Sequence, residues 1–173
     1  FYGLYAFLQQ GMIFAFYKVL DKLPVRWGNR RFYSVKACAR HYGVPLLATQ
    51  GVNSPAFRDK LEHLKPDWII SIACPQILRK KILDIPSQGA LNLHSAKLPK
   101  YRGIAPLFWA MLHEEPAAAV SIHRINEQID DGELYAQESF AIDPKDSLHD
   151  LYLKVIRIGP ALLLKVLKQM LAG

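Results

Sequence analysis

Apolar positions along this chain recur with two different spacings, and the spacing changes from one segment to the next. Ser34 precedes a periodic stretch that Gly43 ends, which predicts a short helix over residues 34 to 42 with both end signals. The run VPLLA, residues 44 to 48, predicts a buried strand. Ser54 and Pro55 offer N-cap and first-turn chemistry to a helix whose Phe57, Leu61 and Leu64 share one face, and Pro66 stops it. Trp68 to Ala73 predicts another strand, QILRKKIL a short helix, and ALNLH, residues 90 to 94, a third strand after Gly89. Strands alternating with helices predict an α/β fold with a parallel sheet, helices on its faces and a ligand site outside the carboxyl ends of the strands.

Further on the pattern changes. Residues 118 to 125 and 134 to 142 read as extended segments flanking the acidic stretch Gln128-Ile129-Asp130-Asp131-Gly132-Glu133, a hairpin or loop signal. Ser147 and Asp150 form a capping-box pattern before a long apolar helix toward Met170, with Gly159-Pro160 predicting a kink. No repeat, low-complexity tract or linker interrupts the chain, so residues 1–173 read as a single unit. At the other end, Phe1 to Tyr17 is uncharged and rich in aromatic residues. It is shorter than the ~20 apolar residues of a spanning helix and lacks the basic start of a signal peptide. It reads as a packed helix, with membrane-surface contact through residues 1 to 20 as the alternative. The chain opens on Phe rather than Met, which fits an N-terminally incomplete sequence.

Composition narrows the class. With 173 residues, 51% of them hydrophobic, the chain can bury a core without disulfides or metal staples. Cys38 and Cys74 stand far apart with no CxxC, so neither structural zinc nor thioredoxin-like redox chemistry is supported, and a reducing cytoplasm fits. The net charge of +7 is unevenly spread. Residues 1 to 40 hold seven basic side chains against Asp21, whereas residues 114 to 150 hold ten acidic ones against Arg124 and Lys145. A basic face attracts a phosphate-bearing substrate, although an ordinary solvated charge pattern reads the same way.

The candidate chemistry lies at the end of the third strand. Side chains two apart on a strand share a face, so Asn92 and His94 project together from its carboxyl end. Asn supplies an N–H donor for a developing oxyanion, and His suits proton transfer near neutral pH. The plainer alternative is that both satisfy backbone groups at a strand end. Asp130 or Asp131 offers a carboxylate to orient the imidazole, unless the acidic stretch is a solvated turn. The spacing of His94, His123 and Asp130 matches no common metal signature, and no G-x-S-x-G elbow surrounds Ser95.

The run NLHSAKLPKYRGIAP, followed by VSIHRINEQIDDGELYAQESFAI, resembles the folate-dependent formyltransferases, a family that includes methionyl-tRNA, glycinamide ribonucleotide and sugar-nucleotide formyltransferases. Its pattern of Asn-x-His, Leu-Pro-x-x-x-Gly and Leu-Asp-x-Gly is matched in order by Asn92 and His94, by Leu98 to Gly103, and by Ile129-Asp130-Asp131-Gly132. The resemblance covers roughly residues 44 to 170. It implies a three-layer, Rossmann-like, largely parallel sheet with helices on both faces and a long C-terminal helix. It also implies 10-formyltetrahydrofolate as formyl donor, held by Cys74, Pro75, Gln76, Ile77 and Leu78 together with the loop near Asp130, and no metal. Asn92 and protonated His94 would stabilise the oxyanion formed when a primary amine attacks the formyl carbon. Asp130 would hold His94 and assist proton removal through water. His123 matches a family histidine that faces either the pocket or solvent.

Departures from the pattern bear on the acceptor. An aromatic stretch stands where the family opens with a strand and a Gly-containing loop, and Lys97 stands in a normally apolar loop. Arg102-Gly103-x-x-Pro106 leans toward the methionyl-tRNA branch, whose C-terminal tRNA-binding domain has no room here. The implied acceptor is a phosphate-bearing amine: a nucleotide sugar, a ribonucleotide or an aminoacyl-tRNA. Two alternatives stand beside the transferase, a hydrolase of the same folate and a non-catalytic binding or scaffold protein that retains the fold.

Overall fold

In the computed structural model, which describes residues 34–172, the first helix begins where Ser34 caps it. The Ser34 hydroxyl accepts from the Ala37 amide at 3.1 Å and opens α1, Val35–His41. Gly43, at φ 67°, turns the chain out of it. The aromatic stretch, residues 1 to 17, lies outside the described residues. By contacts the chain divides into two units, Phe1–Thr49 and Gln50–Gly173.

Residues 44 to 48 differ from expectation: they form no strand and are exposed. The Val44 amide donates to Ala39 O at 2.8 Å, closing the end of α1 instead of entering a ladder. An apolar run becomes a buried strand only where a neighbour takes its backbone groups.

The second unit opens with α2, Pro55–Leu64, capped by the Ser54 hydroxyl on the Phe57 amide at 3.3 Å. Lys65 adopts the left-handed conformation and sends its amide to Leu61 O, ending the helix before Pro66. Phe57 and Leu61 are half-buried, whereas Leu64 is 60% exposed. Four strands follow: β1 Trp68–Ile72, β2 Gly89–His94, β3 Ala117–Arg124 and β4 Leu134–Ala141. They lie in the order β1-β2-β3-β4, with β1 and β2 parallel and β3 antiparallel to both β2 and β4. Three strands therefore point one way and β3 runs against them. The fold is α/β, with a mixed sheet.

The helix expected over residues 76 to 83 is reduced to α3, Lys80–Leu83. Asn53 accounts for the late start. Its amide nitrogen donates to Ile77 O at 2.8 Å and its oxygen accepts from Arg79 N at 2.8 Å, so the backbone groups that would begin the helix are spent on a side chain. One helix was not anticipated: α4, Pro106–Leu112, starts with Pro106 after left-handed Ala105 at φ 55°. Finally, α5, Leu148–Ala172, runs on through Gly159 and Pro160. Its capping box is reciprocal: Ser147 N donates to Asp150 Oδ2 at 2.8 Å and Asp150 N to Ser147 Oγ at 3.3 Å. No described helix is long and apolar enough to cross a membrane.

The core lies between the sheet and α5. Leu91 of β2 and Val120 and Ile122 of β3 pack in one cluster with Leu151, Leu162 and Val166 of α5. Each fully buried side chain contributes about 1.5–3 kcal/mol relative to exposure. Gly159 lets α5 approach β2 closely, since a Cβ there would stand 3.0 Å from Leu93 Cδ1. Strand alternation sends Leu91 and Leu93 toward this core and Asn92 and His94 to the other face. There Asn92 pairs in register with His123, and His94 with Ser121.

Candidate functional site

The site is assembled on β2 and β3 by two loops that fold over the end of β2. The loop between β3 and β4 returns under a strict spatial condition: a Cβ on Gly132 would overlap the carbonyl oxygen of Arg124 and stand 2.8 Å from its carbon. Only glycine passes, and Arg124 N donates to Glu133 O at 2.8 Å beside it. Asp130 then takes the left-handed conformation at φ 46°, which short polar side chains tolerate. The loop after β2, from Leu98 to Gly103, carries two more left-handed residues, Tyr101 at φ 59° and Gly103 at φ 86°.

These turns converge on the Asp130 carboxylate. Its Oδ1 accepts from Asn92 Nδ2 at 3.2 Å, and its Oδ2 accepts from the Gly103 amide at 2.8 Å. His94 Nε2 lies 3.5 Å from Oδ2 and His123 Nε2 lies 3.4 Å from Oδ1. Burial is the largest single influence on this carboxyl and opposes its ionisation. The hydrogen bonds from His123 and Gly103, with the charges of His94 and His123, outweigh it and hold the pKa down at about 2.

Both histidines are buried, His94 at 8% and His123 at 1% exposure. His123 Nδ1 lies 2.8 Å from the Arg124 carbonyl, which can only accept, so in the neutral ring Nδ1 bears the hydrogen. Its Nε2 is left to accept from Asn92 Nδ2 at 3.2 Å. When His123 is protonated, Nε2 donates to Asp130 instead. His94 Nε2 lies 3.1 Å from Tyr101 O, and by the same argument it bears the hydrogen.

The structure therefore brings Asn92, His94 and Asp130 together, and adds His123. It separates the two candidate carboxylates, because Asp131 forms an ion pair with Arg102 instead. The expected folate-binding loop lies at the carboxyl end of β1, and its contacts run elsewhere. Gln76 Oε1 accepts from Val52 N at 3.0 Å and Nε2 donates to Gln50 O at 3.1 Å, while Cys74 Sγ donates to Gln76 O at 3.3 Å. Ile77 is 60% exposed and Leu78 is buried.

None of the five residues from Cys74 to Leu78 lines the groove of about 430 Å³ in which Leu83, Ala90 and Ile125 meet Arg124, Asn126 and Gln128. A smaller cavity of about 110 Å³ lies between Leu98 and Pro99 on one side and Asp130 to Gly132 on the other. Among the described residues no group of three or more His, Cys, Asp or Glu is arranged to hold a metal ion. Sequence reasoning missed the backbone partners, Tyr101 O and Gly103 N, whose only signal was the spacing of the Leu-Pro-x-x-x-Gly loop.

Comparison with known proteins gives a consistent result. A family model described as formyl transferase matches residues 9–167. The methionyl-tRNA formyltransferase of Syntrophus aciditrophicus is 37% identical over 134 residues, covering 78% of this chain and 43% of that protein. The bifunctional polymyxin resistance protein ArnA of Wigglesworthia glossinidia brevipalpis is 37% identical over 140 residues, covering 81% of this chain and 21% of that protein. The chain spans half the length or less of the curated relatives it matches. The solved phosphoribosylglycinamide formyltransferase of Bacillus halodurans superposes with a TM-score of 0.74 at 18% identity, over 95% of this chain and 91% of that one. A sugar 3N-formyl transferase, solved with dTDP and 5-N-formyl-THF, gives 0.61 at 24% identity, over 78% of this chain and 45% of that one. At these identities the structural likeness is one of fold.

Proposed function

This chain belongs to the formyl transferase family, and on that premise we propose that it transfers a formyl group from 10-formyltetrahydrofolate to a primary amine. The observation that carries the reading is the ionised Asp130 carboxylate bonded to Asn92 and close to His94 at the end of β2. The groove at the start of β2, whose wall runs through residues 124 to 128 toward Asp130, suits the donor's flat heterocycle. Its volume, about 430 Å³, falls within the ~300–1,000 Å³ of small-molecule clefts. Leu83, Ala90 and Ile125 supply apolar flanks, and Arg124, Asn126, Glu127 and Gln128 are the polar residues of its lining. The loop Cys74, Pro75, Gln76, Ile77 and Leu78 leads directly into α3, whose Lys80 and Leu83 line the same groove.

The donor supplies an activated formyl carbon; the chain supplies orientation and charge. Protonated His94, with Nε2–H on Tyr101 O and beside Asp130, offers Nδ1–H to the oxygen that gains charge as the amine adds. Both hydrogens of Asn92 Nδ2 are held, by Asp130 and by His123. When His123 donates to Asp130 instead, the Asn92 hydrogen that faced it is the one freed to meet an oxyanion. With a pKa of about 2, Asp130 is a poor proton sink near neutrality. Its role is to aim His94; the amine gives up a proton through water as the bond from the formyl carbon to the folate nitrogen breaks, and that nitrogen leaves protonated.

For the acceptor we propose a phosphate-bearing amine, with aminoacyl-tRNA favoured by the identity to methionyl-tRNA formyltransferases. In the loop over the site, Lys100 pairs with Glu115 and Arg102 with Asp131, whereas Lys97 has no ion-pair partner among the described residues. Lys97 is exposed and its charge also reaches the Glu115 carboxylate, which leaves it able to meet phosphate. The free cysteines Cys38 and Cys74 suit a reducing, cytoplasmic setting.

The test is titration of the chain with 5-formyltetrahydrofolate, a stable donor analogue, followed by turnover assays with candidate amines. Saturable binding, with turnover lost in His94→Ala, supports the reading. A folded chain that does not bind the analogue would sink it in favour of a scaffold. Formate release without any amine would replace transfer by hydrolysis.

A further inference from the structure

Tyr101 does two things at once. Its carbonyl receives His94 Nε2–H at 3.1 Å, and its hydroxyl donates to Glu115 Oε1 at 2.8 Å on the far side of the residue. Glu115 is itself fixed: its amide donates to Ala110 O at 3.0 Å, and its carboxylate receives Lys100 Nζ at 3.0 Å. The Tyr101 hydroxyl also lies 3.2 Å from His113 Nδ1, and the two rings face each other at 5.8 Å. The backbone between these anchors is left-handed, at φ 59°, a conformation a tyrosine does not adopt without support. The side chain supplies that support.

The consequence falls on His94. Tyr101 O can only accept, so it selects the Nε2–H form of the ring, whereas Asp130 Oδ2 stands farther off at 3.5 Å. Among the described residues no hydrogen bond ends on His94 Nδ1, and it is not among their buried unpartnered atoms. We propose that Tyr101, tied to Glu115, is a positioning residue that holds Nε2–H of His94, fixing the tautomer of the neutral ring and the aim of the charged one, so that Nδ1 is in either form the atom presented to the substrate. This rests on the assignment of His94 to oxyanion and proton chemistry made above.

The decisive measurement is the tautomer of His94, read from its ring ¹⁵N shifts at about pH 8.5, above the ordinary histidine range. It needs no substrate. We expect Nε2–H in the wild type and still Nε2–H in Asp130→Asn, because the Tyr101 carbonyl remains. Adding Tyr101→Phe, which keeps the ring but removes the bond to Glu115, should give a mixture of tautomers. A mixture in Asp130→Asn alone would assign the tautomer to Asp130 and overturn the proposal. So would an unchanged Nε2–H signal in the double variant.

In turnover, Tyr101→Phe should lower kcat about tenfold while KM for the folate donor moves less than about twofold, as for a misaimed catalytic group. Glu115→Gln alone, which keeps an acceptor for the Tyr101 hydroxyl, should retain most of the wild-type rate. Full turnover by His94→Ala would defeat the proposed function, while the tautomer measurement would still decide the role of Tyr101.

Discussion

Gly132 passes so close to the backbone of Arg124 that no side chain fits between them, and this approach is what delivers Asp130 to Asn92 and His94. Gly132→Ala should therefore act on the site before it acts on the core. We expect stability to fall by about 1–3 kcal/mol. Turnover should fall by about a hundredfold or more, because the carboxylate shifts by the better part of an ångström. Urea unfolding and steady-state rates on the same preparation separate the two effects. A variant that keeps its rate would show that the loop reaches the site by another path.

The two neighbouring aspartates should differ sharply. Asp130 takes hydrogen bonds from Asn92 Nδ2 and Gly103 N and lies beside two histidines, whereas Asp131 pairs with a half-exposed Arg102. Losing an exposed pair costs about 0–1 kcal/mol. Asp131→Asn should thus stay near wild type in rate and stability, while Asp130→Asn should lose about 10²- to 10⁴-fold in kcat, the range for proton-transfer machinery. Parallel assays check it, and greater damage from Asp131→Asn would reverse the assignment.

What was legible in the chain follows from which interactions are local. Ser34, Ser54 and the Ser147/Asp150 pair announce helix starts because a cap is a contact within three residues, and each does cap its helix. Asn92 and His94 announce a shared face because strand alternation is local too. Residues 44 to 48 misled because an apolar run specifies burial, not the neighbour that would complete a ladder. The late start of α3 depends on Asn53, more than twenty residues away, and no periodicity contains that. In the site, the side-chain residues formed a readable motif, while Tyr101 O and Gly103 N act through backbone atoms that carry no residue signature.

Asp130 also sets a pH dependence of stability. Its pKa is held at about 2 in the folded chain against 3.8 ordinarily, so folding favours the ionised form. A depressed carboxyl contributes its full stabilisation above the unfolded value and loses it as pH falls toward the folded value. The difference corresponds to about 2 kcal/mol. The stability gap between wild type and Asp130→Asn should be constant from about pH 5 up to the ordinary histidine range near pH 6.5 and shrink between about pH 4 and pH 2. Unfolding curves across that range test it, and a gap that did not change with pH would mean the carboxyl is not held by these partners.

Leu93 joins the site to the core, because it sits between Asn92 and His94 on β2 while its side chain meets Gly159 of α5. A Cβ at Gly159 would lie 3.0 Å from Leu93 Cδ1, closer than packed atoms ordinarily come. Gly159→Ala thus sets a helix-propensity gain of about 1 kcal/mol against an overpacking cost of about 1–3 kcal/mol. In the wild-type background the cost should win, and the displaced strand should lower turnover as well. In a Leu93→Ala background the clash is gone and the same substitution should stabilise the chain. A double-mutant cycle by chemical denaturation measures the coupling; additive effects would mean that α5 moves away from β2 without resistance, and the glycine would then have no part in holding the site.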